Sequence, residues 1–418
     1  MKTTALACLK PVFLPFCLAG FLAAAGCGSD GGGEDGSQTR TVNISGEGDF
    51  RSVQECIDES QSGDTCRVYP GTYRGAVRFN GKNLTVSSTE GPDVTVLDGD
   101  YLNQDGVGDD TVVRFANREG PAATLDGFTI TNGAAEESGG GICIEAASPT
   151  IRNCIIRDNT AAQNGGGLYC VSSTSRPTIV NTVFEGNTAQ GLGGGLAVLY
   201  GSPTLINCLL FHNEAERGGA VSAQARAYLT MQNVTAADNT AVEGGGALYL
   251  LNASALATNT IVWGNEAAAG LQAYLEAGGT SEAARLFLRY SDLEGGRAGV
   301  VGGEVDCGVV PSPSLCLGID HVLAGDPLFV PLDVELQPGE RDPMLGYYLS
   351  QPATGREDQI ALGTSPAVDT GDPDLTPQEL GVDDRATRTD HAPDEVDPDG
   401  VPPLYVDQGY HYEIPEVL

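Results

Sequence analysis

Between residues 139 and 269 one arrangement of apolar and polar positions is written five times. Each unit opens on a Gly-Gly-Gly or Gly-Gly-Ala step. Ile142, Leu168, Leu196, Val221 and Leu248 then stand first, Cys143, Tyr169, Ala197, Ser222 and Tyr249 second, and Ile144, Cys170, Val198, Ala223 and Leu250 third. Apolar, mixed, apolar is the period-two signature of a strand with one buried face. Each unit closes on an Asn-x5-Asn pair: Asn153/Asn159, Asn181/Asn187, Asn207/Asn213, Asn233/Asn239 and Asn259/Asn265, at spacings of 28, 26, 26 and 26 residues. The runs between turn signals are about five residues long, too short for helices, and leave room for about three strands per unit.

A fixed period of this length means a stacked solenoid. The L-x-x-L-x-L-x-x-N frame of leucine-rich repeats is absent, and the glycine steps recur too far apart for calcium-binding nonapeptide rolls. The reading that fits is all-β, a right-handed parallel β-helix with three strands and ~26 residues per coil, roughly eight to ten coils in all. Coils rise roughly 4.8 Å and pair in register, so identical positions stack in columns. An Asn column suits left-handed turns and amide ladders. A Gly column marks a corner where a Cβ would clash or φ must be positive.

Toward the amino end, residues 41–86 contain TVNISGEGDFRSVQECIDESQSGDTCRVYPGTY, which resembles the opening of pectin-lyase-like right-handed β-helix proteins. Ser52 to Ser60 is expected to form a short amphipathic capping helix with Val53, Cys56 and Ile57 on one side, because a solenoid needs its end covered. Strands are expected at Val68–Tyr73, Leu84–Ser87, Val94–Leu97, Val112–Phe115 and Leu125–Ile130. The GGG-I/L and apolar-x-x-Asn elements of the central repeats look like those of the polymorphic outer-membrane protein family. LFLRYSDLEGG at 286–296 reads as the last coil. DPLF at 326–329, SPAVDTGDPD at 365–374 and VDQGYHY at 406–412 then resemble, in that order, a choice-of-anchor Q region.

The first 26 residues carry Lys2, Lys10 and an apolar run from Val12 to Ala25, which reads as a secretory signal. The run ends Ala24-Ala25-Gly26-Cys27, similar to a bacterial lipobox, and the resemblance implies lipidation at Cys27. Expected boundaries are 1–26 signal peptide, 27–39 flexible tether, 40–299 β-helix with its cap, and 300–418 the anchor-Q-like module. The chain is therefore expected to be exported, lipid-anchored to a bacterial envelope, and monomeric.

Charge narrows the partners. The 418 residues carry 22 basic against 56 acidic side chains, a net charge of −34, and Lys82 is the one lysine beyond the leader. Such a surface excludes nucleic acid and disfavours acidic polysaccharide. It attracts divalent cations, and Asp372, Asp374, Asp397 and Asp399 are candidate calcium ligands, although no complete loop of established spacing is present. No cofactor is required. Of the cysteines beyond Cys27, Cys56 with Cys66 and Cys307 with Cys316 are expected disulfides. Cys154 and Cys208 share a column two coils apart, ~9.6 Å, beyond disulfide reach. Cys143 and Cys170 differ in strand parity. These four are expected to be mostly buried thiols.

Chemistry is sparse. Glycan hydrolases need clustered carboxylates, and the pectin-lyase-like resemblance implies Asp pairs with a Gly-His-Gly turn, in which none of His212, His321, His391 and His411 lies. His212 and Asp238 both precede a second Asn and fall on adjacent coils, the one candidate acid-base pair. Tyr169, Tyr249 and Trp263 are candidate sugar-stacking aromatics. The reading is a non-catalytic surface protein for adhesion or for binding polysaccharide or protein. The alternative is a polysaccharide lyase or hydrolase. A groove of close carboxylates would favour the enzyme, and a flat face of Thr, Asn and small residues would favour display.

Overall fold

The computed structural model describes residues 37–100, 111–278, 284–302 and 316–323, and these wind into a right-handed parallel β-helix. The pairings between its strands are parallel, so sequence columns become physical ones: Ile142, Leu168, Leu196, Val221 and Leu248 stack in register, as do Ile151, Ile179 and Leu205. Among the described residues the strands form sheets of 17, nine and six. The coil beginning at Thr150 shows the path. A first strand, Thr150–Arg152, bends at Asn153 into a second, Ile155–Arg157, then at Asp158 into a short arm, Thr160–Ala161. The glycine step at 165–167 turns the chain into a third strand, Leu168–Val171. One parity of every strand points inward and makes a single apolar core along the axis.

The two asparagines of each repeat do different work. The first (Asn153, Asn181, Asn207, Asn233, Asn259) takes the left-handed bend, with φ between 47° and 54°. The second is buried, and the residue before it, Asp158, Gly186, His212, Asp238 or Gly264, takes the left-handed conformation instead. The first column also links its amides from coil to coil, Asn181 Nδ2 donating to Asn153 Oδ1 at 3.2 Å and Asn207 Nδ2 to Asn181 Oδ1 at 2.7 Å, and the second column forms the buried amide ladder. The Nδ2 of Asn159, Asn187, Asn213 and Asn239 each donates to the Oδ1 one coil on, at 3.0, 2.9, 2.9 and 2.9 Å. Both ends are capped. The Gly133 N–H donates to Asn159 Oδ1 at 2.9 Å, and Asn265 Nδ2 donates to Gln272 Oε1 at 2.7 Å, with Gln272 Nε2 passing on to Glu294 Oε2 at 2.6 Å. An unpaired amide there would cost more than the ladder's net gain.

The glycine step needs glycine for two separate reasons. Gly165 has φ +66°, a conformation L side chains rarely adopt. Gly166 has an ordinary φ, but a Cβ on it would lie 2.5 Å from the Thr188 carbonyl oxygen of the next coil. A third column is less conspicuous in the sequence. Thr39, Thr65, Thr85, Thr124, Thr150, Thr178, Thr204 and Thr230 stand one above another on the outward parity of the first strand.

At the amino end the expected helix is present as Val53–Glu59. Ser52 Oγ accepts from the Glu55 N–H at 3.1 Å and Glu55 reaches back to the Ser52 N–H, a capping box. Val53, Cys56 and Ile57 are its buried face, and Cys56 is bonded to Cys66 of the strand Thr65–Val68. Two runs read as single strands are each two. Residues 68–73 break into Thr65–Val68 and Gly71–Arg74, and 125–130 into Thr124–Asp126 and Thr129–Thr131 about Gly127 at φ +81°. The pairing also continues past the expected last coil. Arg285–Leu293 is followed by Val300–Val301 and by Cys316–Leu323, which pairs with Arg285–Leu293.

Two stability predictions follow from these contacts. Asn213→Ala should destabilise the coils by ~2–4 kcal/mol, because it orphans buried partners on both sides. Asn153→Gly, which keeps the left-handed bend at an exposed position, should cost under about 1 kcal/mol; equal losses in guanidinium unfolding would mean that the buried ladder carries no special weight. Replacing Cys56 and Cys66 by Ser should cost about 3 kcal/mol through the short loop they close, read from the same unfolding curves.

Candidate functional site

The sequence pair His212 and Asp238 lies where its register places it. Phe211 pairs with Ala237, and the next residue of each strand is the exposed left-handed bend, at φ 53° for His212 and 52° for Asp238. Small polar residues and His are among those that tolerate this conformation, so the column Asp158, Gly186, His212, Asp238, Gly264 has a backbone reason to exist. The glycines also make room, since a Cβ on Gly264 would collide with the Asp238 carboxylate.

One residue missed in the sequence joins this edge. Glu185 pairs with Phe211 on one side and Arg157 on the other. It is half-buried, and its Oε2 is enclosed with no hydrogen-bond partner. Burial raises its carboxyl pKa above the ordinary 4.5, Arg157 opposes the rise, Asp158 adds to it, and His212 opposes it. Arg157, Asp158, Glu185 and His212 are therefore electrostatic neighbours along the outer edge of the second strands. Only the pairing register reveals Glu185, because nothing at that column repeats in type.

The aromatic candidates are rearranged. Tyr169 and Tyr249 do share the outward column of the third strand, with Ala197 and Ser222 between them. Tyr249, however, is 0 % exposed and cannot offer a ring to a sugar. The chain ahead of each glycine step folds back beside the third strand, and the Arg217 guanidinium sits 5.5 Å from the Tyr249 ring centre. Tyr274, one coil on, stacks on Tyr249 with ring centres 6.0 Å apart and planes at 15°. The Tyr249 hydroxyl donates to Glu276 Oε2 at 2.6 Å and accepts from Arg217 Nη1 at 3.2 Å. Burial, then Glu276, raises its pKa. Arg217 Nε donates to Glu243 at 2.7 Å. Tyr274 and Glu276 stay half-buried and Glu243 exposed, so the group presents a rigid aromatic and charged surface. The signal was the period itself: Glu243 lies 26 residues after Arg217, and Gly270 with Tyr274 continues the series of Gly245 with Tyr249. Trp263 is apart from this group, half-buried at the end of Ile261–Trp263 and paired with Ala237.

Cys143, Cys154, Cys170 and Cys208 are buried thiols. Burial pushes Cys154, Cys170 and Cys208 up to about 12, which leaves them inert as nucleophiles. Among the described residues no group of three or more His, Cys, Asp or Glu converges as a metal site. Cys27, Cys307, Asp372, Asp374, Asp397 and Asp399 lie outside the described residues, as does the side chain of Cys316.

Columns, bends and sheets together define the class, a right-handed parallel β-helix, and a family model described as "Right handed beta helix region" matches residues 111–281. A solved pectin methylesterase from carrot is 13% identical over 68% of this chain and 82% of that one, with a TM-score of 0.33. The Escherichia coli protein ybhc is 13% identical over 72% of this chain and 88% of its own, with a TM-score of 0.37. No curated protein matches the sequence. Neither structural likeness carries an argument about chemistry.

Glu185 gives a pH test of this edge. A carboxyl whose pKa is raised by folding keeps its proton where the unfolded chain releases it, so its contribution to stability falls as pH rises past 4.5. Glu185→Gln should therefore stabilise the protein at pH 7, with the advantage gone below about pH 4. Unfolding midpoints across that range check it, and an advantage independent of pH would contradict the burial argument.

Proposed function

We propose that the protein is a non-catalytic display rod, exported and lipid-anchored at Cys27 to a bacterial envelope, whose coils bind a polysaccharide or a protein of a neighbouring surface. The observation that carries this reading is the outward column of the first strands, where one threonine per coil repeats in register from Thr39 to Thr230 without a carboxylate in the column. A rigid face of evenly spaced hydroxyls and methyls is built for extended contact. The surface group around Arg217 supports the same reading. Its two carboxylates are engaged by one guanidinium, and Glu276 also accepts from a tyrosine, so they hold Tyr274 in place. Aromatic surfaces of that kind pack against sugar or peptide at low entropic cost. Calcium is not required by this reading. Its acidic candidates in the tail, Asp372, Asp374, Asp397 and Asp399, would add a cation dependence to tail contacts only.

The second reading, a polysaccharide lyase or hydrolase, is favoured by one observation, the raised pKa of Glu185 beside His212. A protonated carboxyl is what a general acid requires. That Oε2 is closed off from solvent and has no hydrogen-bond partner, and for that reason the display reading is preferred.

A panel of neutral and acidic polysaccharides, scored for both binding and product release, decides between them. Binding without product release is expected. Tyr274→Ala and Arg217→Ala should weaken it about tenfold, the loss of one aromatic anchor, while His212→Ala and Asp238→Ala leave it unchanged. Product release that disappears in His212→Ala, Asp238→Ala or Glu185→Gln would replace the display reading with the enzyme.

A further inference from the structure

The second strands carry a row that faces away from the core and yet is dry. Cys154 and Ile156 point inward, so Ile155 between them points out, and the same parity holds for Val183, Leu209, Thr235 and Ile261 in successive coils. Ile155, Val183 and Leu209 join Phe211 and Ala237 in an apolar cluster separate from the core. An outward row on a bare solenoid is wet. Here exposure falls along the axis, from 8 % at Ile155 to 3 % at Val183 and 0 % at Leu209.

The neighbouring bend column shows the same gradient with chemistry and backbone held constant. Asn153 is exposed, Asn181 half-buried, Asn207 2 % exposed, and Asn233 and Asn259 fully buried, although all five share the same left-handed φ. Among the described residues the main contacts of each coil are with the coils above and below it. The second strands contact strands of their own sheet in neighbouring coils. Burial on this face therefore deepens toward the carboxyl-terminal end of the stack, the direction from which a cover would come.

At that end the chain itself emerges. The strand Cys316–Leu323 pairs with Arg285–Leu293, and Leu323 stands opposite Asp292, in the row that begins at Ile155. Residues 324–418 follow, and the first of them include the apolar run Leu328-Phe329-Val330. From Leu323 back to Leu209 is four coils, roughly 19 Å, which an extended chain crosses in about six residues.

We propose that the chain beyond Leu323, with Leu328, Phe329 and Val330 foremost, doubles back along the outer face of the second strands and covers Val183, Leu209, Phe211 and Ala237. The tail is then a side cover of the solenoid rather than a plug on its end. It removes an exposed apolar strip, which on a surface-displayed rod would promote lateral association. It also explains why both parities of the second strand are apolar, a pattern a bare coil would not tolerate.

Photo-cross-linking in the full chain tests this directly. With p-benzoylphenylalanine in place of Phe211, a conservative change of ring, irradiation should cross-link that position to the peptide spanning 324–335 of the same chain. Cross-links to a second copy, to residues 1–36, or only to adjacent coils overturn the proposal. A second measurement leaves the face itself untouched. A specific protease site inserted between Ala324 and Gly325 of the full chain is cut, and the products are passed through gel filtration. The 324–418 fragment should co-elute with the coils, and the double change Leu328→Asp, Phe329→Asp should release it. Loss of the fragment from unsubstituted coils, or retention despite both aspartates, overturns the proposal.

Discussion

The structure depends on one constraint: each coil pairs in parallel and in register with a copy of nearly the same sequence. Backbone amides along the axis find their acceptors one coil away, so every position must tolerate a neighbour of its own kind at strand spacing. Few side chains do. Asparagine can donate to and accept from another asparagine, and the second Asn column uses both ends of the amide from Asn159 to Asn265. Glycine tolerates the close approach at Gly166 and the conformation at Gly165. Threonine is β-branched and fits the pleat beside itself.

The same constraint governs charge. Like charges directly opposite are destabilising in a sheet, and a chain with 56 acids against 22 bases has many opportunities to place them so. At several acidic positions the coils avoid it by alternating sign or by interposing small residues, although Arg78 does stand opposite Arg114 near the amino end. Arg152 follows Asp126 and the two meet at 2.9 Å; Glu243 follows Arg217 one coil on. At the outer bends Gly186 separates Asp158 from His212, and His212 separates that glycine from Asp238. His212 also has a backbone reason to stand there, since it holds a left-handed bend and interrupts an acidic column.

This is why the fold was legible in the sequence and the site was not. A residue that must stack on its own kind repeats, and repetition can be read from one sequence. The Asn pairs, the glycine steps and the Ser52–Ser60 cap signal all belong to that class. Breaks smaller than a repeat were less visible. Gly127 divides one apolar run into two strands, and although it stands in register with the bend at Asn153, a glycine in place of the asparagine hides the repeat. Glu185 and Tyr274 were overlooked for a related reason. Glu185 is a departure within its column, and its meaning comes from Arg157, Asp158 and His212, which share no residue type with it, while Tyr274 follows Tyr249 in a coil whose glycine step has shortened to one residue. Tyr249 was misplaced by parity alone, because pointing outward is not the same as meeting solvent when the chain ahead of the glycine step folds beside the strand.

Function in such a molecule belongs where the period is imperfect. A perfect solenoid presents the same surface at every level and can position nothing in particular. Around the Arg217 group the register slips between the pairing of Ala215 with Ala241 and that of Arg217 with Gly244, and the following glycine step shortens to a single glycine before Leu271 and Gln272. Those irregularities bring an arginine, two tyrosines and two glutamates from three coils into one interlocked group. The slip costs ladder hydrogen bonds and regular packing. It is retained at the level where aromatic and charged groups gather, a correlation expected if that level, rather than the uniform coils beneath it, is where the rod meets its partner.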